Sequence, residues 1–261
     1  MTESRPTTES RAARFYTRYA ALYDRIASDA PLVAGLRERI VDALAPRRGD
    51  VVVEMGCGTG ANLPLLRERV GPEGVVVGLD FSAGVLDRAR DRISRAGWEN
   101  VHVARADATT PPVAPAGHRE VHAGAAALAD GIDAVLATFV TGMLDDPARA
   151  VDGWCRLVGG DERPPVDRGR ICVAGFARST RPVGRALNPI FSGLVRLGTP
   201  PGRGRGRTES PVALLDRRAL VAHRRVHERC RDARTERMLA GFARITAGSV
   251  DWAPGEGQSS Y

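Results

Sequence analysis

The chain contains no lysine: all 38 of its basic residues are arginine, set against 31 acidic residues for a net charge of +7. Without an amine side chain there is no phosphate-loop lysine, no Schiff base and no Tyr-x-x-x-Lys pair of the short-chain dehydrogenase kind, which excludes those chemistries. Cysteine is scarce. Cys57, Cys155, Cys172 and Cys230 form no C-x-x-C and no close pair, arguing against both a zinc ribbon and a disulfide framework. Aromatic residues make up only 5% of the chain, and the Gly-Arg repeat at 202–207 has none beside it on which bases could stack, so nucleic-acid binding is not expected despite the positive charge. Long apolar runs are also missing. The longest, 134–144, is too short to cross a bilayer and follows Asp130 and Asp133. Met1 to Arg14 lack an apolar centre and read as a loose tail (1–14), not a signal peptide, which points to a cytoplasmic protein.

What is present is more pointed. An apolar content of 43% suffices for the core of one domain. Val51-Val52-Val53 reads as a buried parallel strand running into Glu54-Met55-Gly56-Cys57-Gly58-Thr59-Gly60, where the glycines let the backbone turn sharply and lie close to a ligand. Asn62-Leu63-Pro64 opens a helix, proline being tolerated in a first turn where its missing N–H would be unpaired anyway. A second strand, Val75 to Leu79, ends in Asp80 and Phe81; a helix from Ser82 to Arg95 stops at Gly97; a third strand, Val101 to Ala104, leads to Asp107 and Ala108. Such alternation builds a parallel sheet whose ligands sit at the carboxyl ends of its strands.

Two cofactors compete for this loop. A nicotinamide dinucleotide fits the spacing of Gly56, Gly58 and Ala61 with Asp80 for a ribose hydroxyl. Glu54 favours the other: a carboxylate at the strand tip repels a pyrophosphate on the helix N-terminus but suits the ammonium end of S-adenosylmethionine. The motif resembles that of the class I S-adenosylmethionine-dependent methyltransferases, whose first signature is an acid followed by alternating glycines. That resemblance implies cofactor binding by Glu54, Gly56, Cys57, Gly58, Gly60, Asp80, Phe81, Asp107 and Ala108, with Asp80 accepting the ribose hydroxyls and the acid after strand three facing the adenine amine. It also implies a Rossmann-like seven-stranded, mostly parallel sheet with an antiparallel last strand, helices on both faces and an N-terminal helical lid. Asp80 and Asp107 would equally serve as caps of helices or turns.

The resemblance covers roughly residues 15–248, read as one domain, with a C-terminal tail at 249–261. Phe15, Tyr16, Tyr19, Tyr23 and Asp24 form a run similar to that of the ubiquinone and menaquinone C-methyltransferase-like group, where such a segment (15–45) belongs to the substrate lid; otherwise it is an aromatic stripe on the core. A proline-rich loop and a helix make an insertion at 108–130 on the ligand side of the sheet. Strand Ile132 to Thr138 is followed by Phe139 and Met143, candidates for an apolar wall around the transferring methyl. Pro147 begins a helix through about Val158, and Ile171 to Phe176 is a fifth strand. In the segment 178–211, Leu187, Ile190, Phe191, Leu194 and Leu197 share a helical face that could receive an apolar substrate or touch a membrane; it would equally cover the sheet edge. Gly198 to Pro211 reads as a charged linker. A helix from Val212 to Arg229 and one closing antiparallel strand, Met238 to Ala247, complete the chain.

Methyl transfer to a small-molecule or lipid-like acceptor, at carbon or oxygen, is the expected function; RNA or protein methylation and non-catalytic cofactor binding are the alternatives. The tip Thr138-Phe139-Val140-Thr141-Gly142-Met143 departs from the polar or basic group that the resembled family often places just after strand four, so no catalytic base is assigned and a quinone acceptor is not singled out. His118 with His122, and His223 with His227, have chelating i, i+4 spacing but no third ligand; they read as surface helix positions, and no metal is expected. Nothing in the sequence fixes an oligomeric state.

Overall fold

The computed structural model describes residues 31–112, 131–158, 169–197 and 210–251. Tyr16, Tyr19, Tyr23, His118 and His122, the insertion beyond residue 112, the Gly/Arg linker and both tails lie outside the described residues.

The chain runs α1 (Pro31–Leu44), β1 (Val51–Met55), α2 (Leu63–Val70), β2 (Val75–Asp80), α3 (Ala83–Ala96), β3 (Val101–Arg105), β4 (Ala134–Thr138), α4 (Pro147–Leu157), β5 (Arg170–Phe176), α5 (Pro182–Leu197), α6 (Pro211–Arg229), β6 (Arg234–Met238) and β7 (Ala243–Ser249). Seven strands form one sheet in the order β3-β2-β1-β4-β5-β7-β6. The first five are parallel to their neighbours, β7 is antiparallel to β5, and β6 is antiparallel to β7. The order reverses between β1 and β4, which opens a crevice at their carboxyl ends.

Strands buried on both faces read as continuous apolar runs, as β1 and β4 do, because helices cover both sides. On one side Val52, Val76, Leu136 and Cys172 pack with Leu36 and Ile40 of α1, Leu63 and Leu66 of α2 and Ala89 of α3. On the other, Val53, Met55, Val135, Ala137 and Val173 pack with Trp154 of α4 and Ala222 and Val226 of α6. Trp154 is fully buried, and its indole N–H donates to the Ala108 carbonyl at 2.7 Å, tying the end of the third βα step to this layer.

Two expectations are corrected. The single closing strand from Met238 to Ala247 is two strands: Leu239, Ala240 and Gly241 take left-handed φ of 51°, 55° and 94°, which reverses the chain between β6 and β7. The histidines of α6 are not both on its surface. His227 is exposed but His223 is buried, because α6 lays Ala219, Ala222, His223 and Val226 against the sheet.

Candidate functional site

The loop after β1 is a sequence of tight backbone turns. Gly56, Gly58 and Gly60 all take left-handed φ, at 72°, 58° and 76°, where a side chain is strained. The amides of Gly56 and Cys57 both donate to the Leu79 carbonyl, at 2.7 and 2.9 Å, so the loop is pinned to the end of β2. Space differs among the glycines. A Cβ at Gly56 would stand 2.9 Å from Val140 and one at Gly60 2.6 Å from Leu63, whereas one at Gly58 would meet nothing within 4 Å. Gly58 therefore presents bare main chain to open space. Beneath the loop, Cys57 fills the gap left by Gly78 of β2, where a Cβ would lie 2.7 Å from the thiol sulfur. Burial pushes the Cys57 thiol well above its ordinary pKa, with Glu54 and Asp80 adding repulsion, so it packs and does not react.

Asp80 ends β2 and is 8% exposed. Its Oδ2 accepts from the Gly58 amide at 3.0 Å and its Oδ1 from the Ser82 amide at 2.9 Å. Burial raises its pKa while the amides of Ser82, Gly58 and Phe81 oppose the shift. One carboxylate thus ties the glycine loop to the start of α3, and each oxygen keeps a lone pair for a further donor. Phe81, 44% exposed, stands next to it. Asp107 is exposed beyond β3, where its Oδ1 accepts from the Thr109 amide at 2.8 Å and the Thr109 hydroxyl at 2.7 Å. That is a turn cap of the kind its position allowed. Ala108 beside it is buried.

Glu54 is the anomaly of the site. It is wholly buried at the tip of β1. Its Oε1 accepts from Asn62 Nδ2 at 2.6 Å and from the Thr138 hydroxyl at 3.2 Å, while its Oε2 has no hydrogen-bond partner. Asn62 in turn accepts at Oδ1 from Arg37 of α1 at 2.8 Å. Burial pushes the Glu54 carboxyl up to about 7, with Asn62, Arg37 and Thr138 pulling it down. A buried carboxylate with one oxygen unsatisfied calls for a cationic or N–H-bearing ligand group. With Gly58 open and Asp80 holding spare lone pairs, the residues present fit a ligand that offers an ammonium and hydroxyls.

Beyond β4, Phe139 takes a left-handed φ of 59° and stacks on Phe176 of β5, ring centroids 4.6 Å apart. Met143 closes a short 3-10 turn, Thr141–Met143, and packs on the core. The two lie on opposite sides of the sheet, Phe139 with the α1–α3 layer and Met143 with the α4–α6 layer, so they do not form one wall. On α5 the expected apolar face is open at Leu187, Ile190 and Leu194, which are 43%, 64% and 64% exposed, while Phe191 packs on Phe242 at 5.1 Å. Asn62, Thr138 and Arg37 were not among the expected site residues. An asparagine at a helix start reads as a cap, yet Asn62 makes no capping bond with its side chain and turns inward instead.

Among the described residues no cluster of histidine, cysteine and acids could hold a metal, and no helix is long and apolar enough to cross a membrane.

Residues 52–158 match the sequence family described as Methyltransferase domain. The chain is 34% identical over 92 residues to aklanonic acid methyltransferase DauC of Streptomyces sp. (strain C5), covering 35% of this chain and 41% of that one. It is 37% identical over 98 residues to the protein-L-isoaspartate O-methyltransferase of Ignicoccus hospitalis, covering 33% and 46%. It is 38% identical over 104 residues to the 2-phytyl-1,4-naphtoquinone methyltransferase of Thermosynechococcus vestitus, covering 38% and 44%. The chain spans less than half the length of each of these curated relatives. Among solved structures, Haemonchus contortus phosphoethanolamine N-methyltransferase 2 in complex with S-adenosyl-L-methionine shares the fold with a TM-score of 0.59 at 15% identity, covering 91% of this chain and 47% of that one.

Proposed function

We propose, from a chain whose residues 52–158 match the family described as Methyltransferase domain, that the protein transfers a methyl group from S-adenosylmethionine to a small-molecule or lipid-like acceptor, at carbon or oxygen. The observation that carries this reading is the unpartnered Oε2 of buried Glu54 beside the open main chain at Gly58. Glu54 holds the ammonium of the cofactor, the bends at Gly56, Gly58 and Gly60 lie along its amino-acid part, and Asp80 accepts its ribose hydroxyls. Phe81, Asp107 and Ala108 border the base, and Cys57 supports the loop from beneath.

Held by Glu54, Gly58 and Asp80, S-adenosylmethionine would supply an activated methyl group for in-line transfer to the acceptor. What the chain contributes is placement: the loop pinned to Leu79 and Asp80 fixes one reactant, and the ends of β4 and β5 border the other. Support for a small acceptor comes from relatives named for aklanonic acid and a naphthoquinone, and from the open apolar face of α5, which suits a lipid-like acceptor or a peripheral membrane contact. The relative named for protein L-isoaspartate supports a second reading, methylation of a protein. Radiolabelled methyl transfer into an organic extract, an RNA fraction and a protein fraction separates these: label in the organic extract is expected, and label in protein alone overturns the small-acceptor reading. Cofactor binding without transfer into any fraction would make the chain a non-catalytic binder.

A further inference from the structure

The excess positive charge of the chain falls in one place. Residues 178–208 hold seven arginines and no acid, while the rest of the chain sets 31 arginines against 31 acids and is neutral. Helix α5 lies inside that stretch and carries Arg185 and Arg196 with no acidic residue. Elsewhere exposed arginines meet carboxylates, as Arg39 meets Glu236 and Arg69 meets Asp42. Among the described arginines of this stretch only Arg178 has an ion pair, with Asp216 at 2.5 Å; Arg181, Arg185 and Arg196 are exposed and have none.

The same helix has a second exposed feature. Val183, Leu187, Ile190 and Leu194 follow one another at steps of four, three and four residues, which lines them up along one side of a helix. They are 71%, 43%, 64% and 64% exposed. Contacts on the adjacent side fix the rotation of α5. Gly184 lies too close to Ser179 and the Ala240 carbonyl for any side chain, Asn188 exchanges bonds with the Ser179 backbone at 2.9 and 3.1 Å, and Phe191 packs on Phe242. The apolar stripe is thereby held outward, a contiguous patch of the kind that marks an interaction surface.

We propose that α5 docks the protein on an anionic lipid bilayer, with Val183, Leu187, Ile190 and Leu194 sunk to the boundary between headgroups and acyl chains and Arg181, Arg185 and Arg196 attracted by the acidic headgroups. An apolar protein partner accounts for the stripe but not for a run of arginines without counter-charge. Nucleic acid accounts for the arginines but not for the stripe. Arg185 and Arg196, two residues on from Val183 and Leu194, leave the helix on its opposite exposed side. A helix is only about 10–12 Å across with its side chains, so they stay within about one Debye length, 8–10 Å, of the headgroups. Among the described residues no helix is long and apolar enough to cross a membrane, so α5 lies in the plane of the interface.

The proposal deepens the small-acceptor reading above and rests on it in one respect. α5 follows β5 at the carboxyl end of the sheet, the end that carries Glu54 and Asp80. Docking brings that end to the lipid surface, where an acceptor dissolved in the bilayer is at hand.

Flotation of the full chain with lipid vesicles, without cofactor or acceptor, tests the docking. At about 0.1 M salt, vesicles of phosphatidylcholine with about one third phosphatidylglycerol are expected to bind at least about tenfold more tightly than phosphatidylcholine alone, and about 1 M salt should abolish the difference. Arg181→Gln, Arg185→Gln and Arg196→Gln together should weaken binding to the anionic vesicles about a hundredfold. Ile190→Gln with Leu194→Gln should weaken it at least about tenfold at an unchanged thermal midpoint, both side chains being mostly exposed. Equal binding to the two kinds of vesicle overturns the proposal, as does binding that survives loss of Ile190 and Leu194. A wild-type dimer in sedimentation that the same two substitutions dissolve also overturns it, since a second copy would then cover the stripe. Failure to float leaves methyl transfer standing, and failure of radiolabel transfer removes the methyl-transfer reading while leaving the vesicle result.

Discussion

Asn62 at the start of α2 donates from Nδ2 to Glu54 Oε1 at 2.6 Å and to the Thr138 hydroxyl at 3.0 Å, so one carboxamide joins the carboxyl ends of β1 and β4 at the point where the strand order reverses. The pair leaves the second oxygen of Glu54 unsatisfied, and that oxygen governs how the protein should respond to pH.

The folded-state pKa of Glu54, about 7, lies above its ordinary value of 4.5, so the folded chain binds the proton more tightly than the unfolded one. The cost of the buried charge is absent below pH 4.5, grows as pH rises and is complete above pH 7, at about 3 kcal/mol. Glu54→Gln removes it. Thermal midpoints of the ligand-free proteins at pH 5 and pH 8 should show the wild type losing stability at the higher pH more than the variant does, and the variant should bind S-adenosylmethionine more weakly at both. Equal pH dependence in the two proteins would mean that Glu54 is not a buried titrating group.

Asp80→Ala removes the bonds from Gly58 and Ser82 as well as any bond to ribose. Calorimetric titration with S-adenosylhomocysteine should show affinity falling tenfold to a hundredfold, equivalent to about 1.5–3 kcal/mol. Asp80→Asn keeps one carbonyl oxygen as acceptor and should fall in between. Unchanged affinity in the alanine variant would exclude Asp80 as a ligand of the cofactor.

Gly58 and Gly60 separate ligand space from structural space. Gly60→Ala drives a methyl to 2.6 Å from Leu63 at a left-handed φ, and should lower stability by about 1–3 kcal/mol. Gly58→Ala meets no atom within 4 Å and should lower stability by about 1 kcal/mol, yet, on the proposed placement of the cofactor, weaken S-adenosylhomocysteine binding about tenfold by filling open space at the bend. Urea denaturation beside calorimetry distinguishes the two. Should Gly58→Ala bind normally, the cofactor does not pass over this bend.

Phe139 keeps a left-handed backbone that a phenylalanine adopts at a cost, and its stack on Phe176 offsets it. Phe139→Ala loses the stack and keeps the strain. Denaturant unfolding should report a loss of about 2 kcal/mol, the ring being only half buried. Methyl transfer should slow with S-adenosylhomocysteine affinity unchanged; a parallel fall in affinity would place Phe139 against the cofactor.

The carboxyl ends of β1 and β2 were readable because the code there is local. A run of valines, an acid and alternating glycines each restrict the backbone on their own, and Asp80 sits one residue past an apolar run. The parts that escaped depend on partners distant in sequence. Arg234–Met238 is too polar to announce a strand, and forms one because β7 offers its edge and Arg39 of α1 meets Glu236 at 2.7 Å. Asn62 looks like a cap until Glu54 and Thr138 claim its side chain. His223 sits among the arginines of α6, where Ala219, Ala222 and Val226 mark the inward face mostly with small residues, so the histidine beside them read as solvent-facing. The aromatic run at 16, 19 and 23 lies outside the described residues, so the lid remains an expectation drawn from likeness.

The fit of Cys57 into the gap at Gly78 has an evolutionary corollary. A methyl added to the strand collides with the sulfur, and a larger loop residue collides with the strand, so either site mutating first passes through a misfit. Among divergent descendants of this chain, positions 57 and 78 should therefore exchange bulk as a correlated pair, with glycine on the loop wherever the strand carries alanine, since Cβ as well as Sγ of Cys57 lies within 3 Å of a methyl at 78.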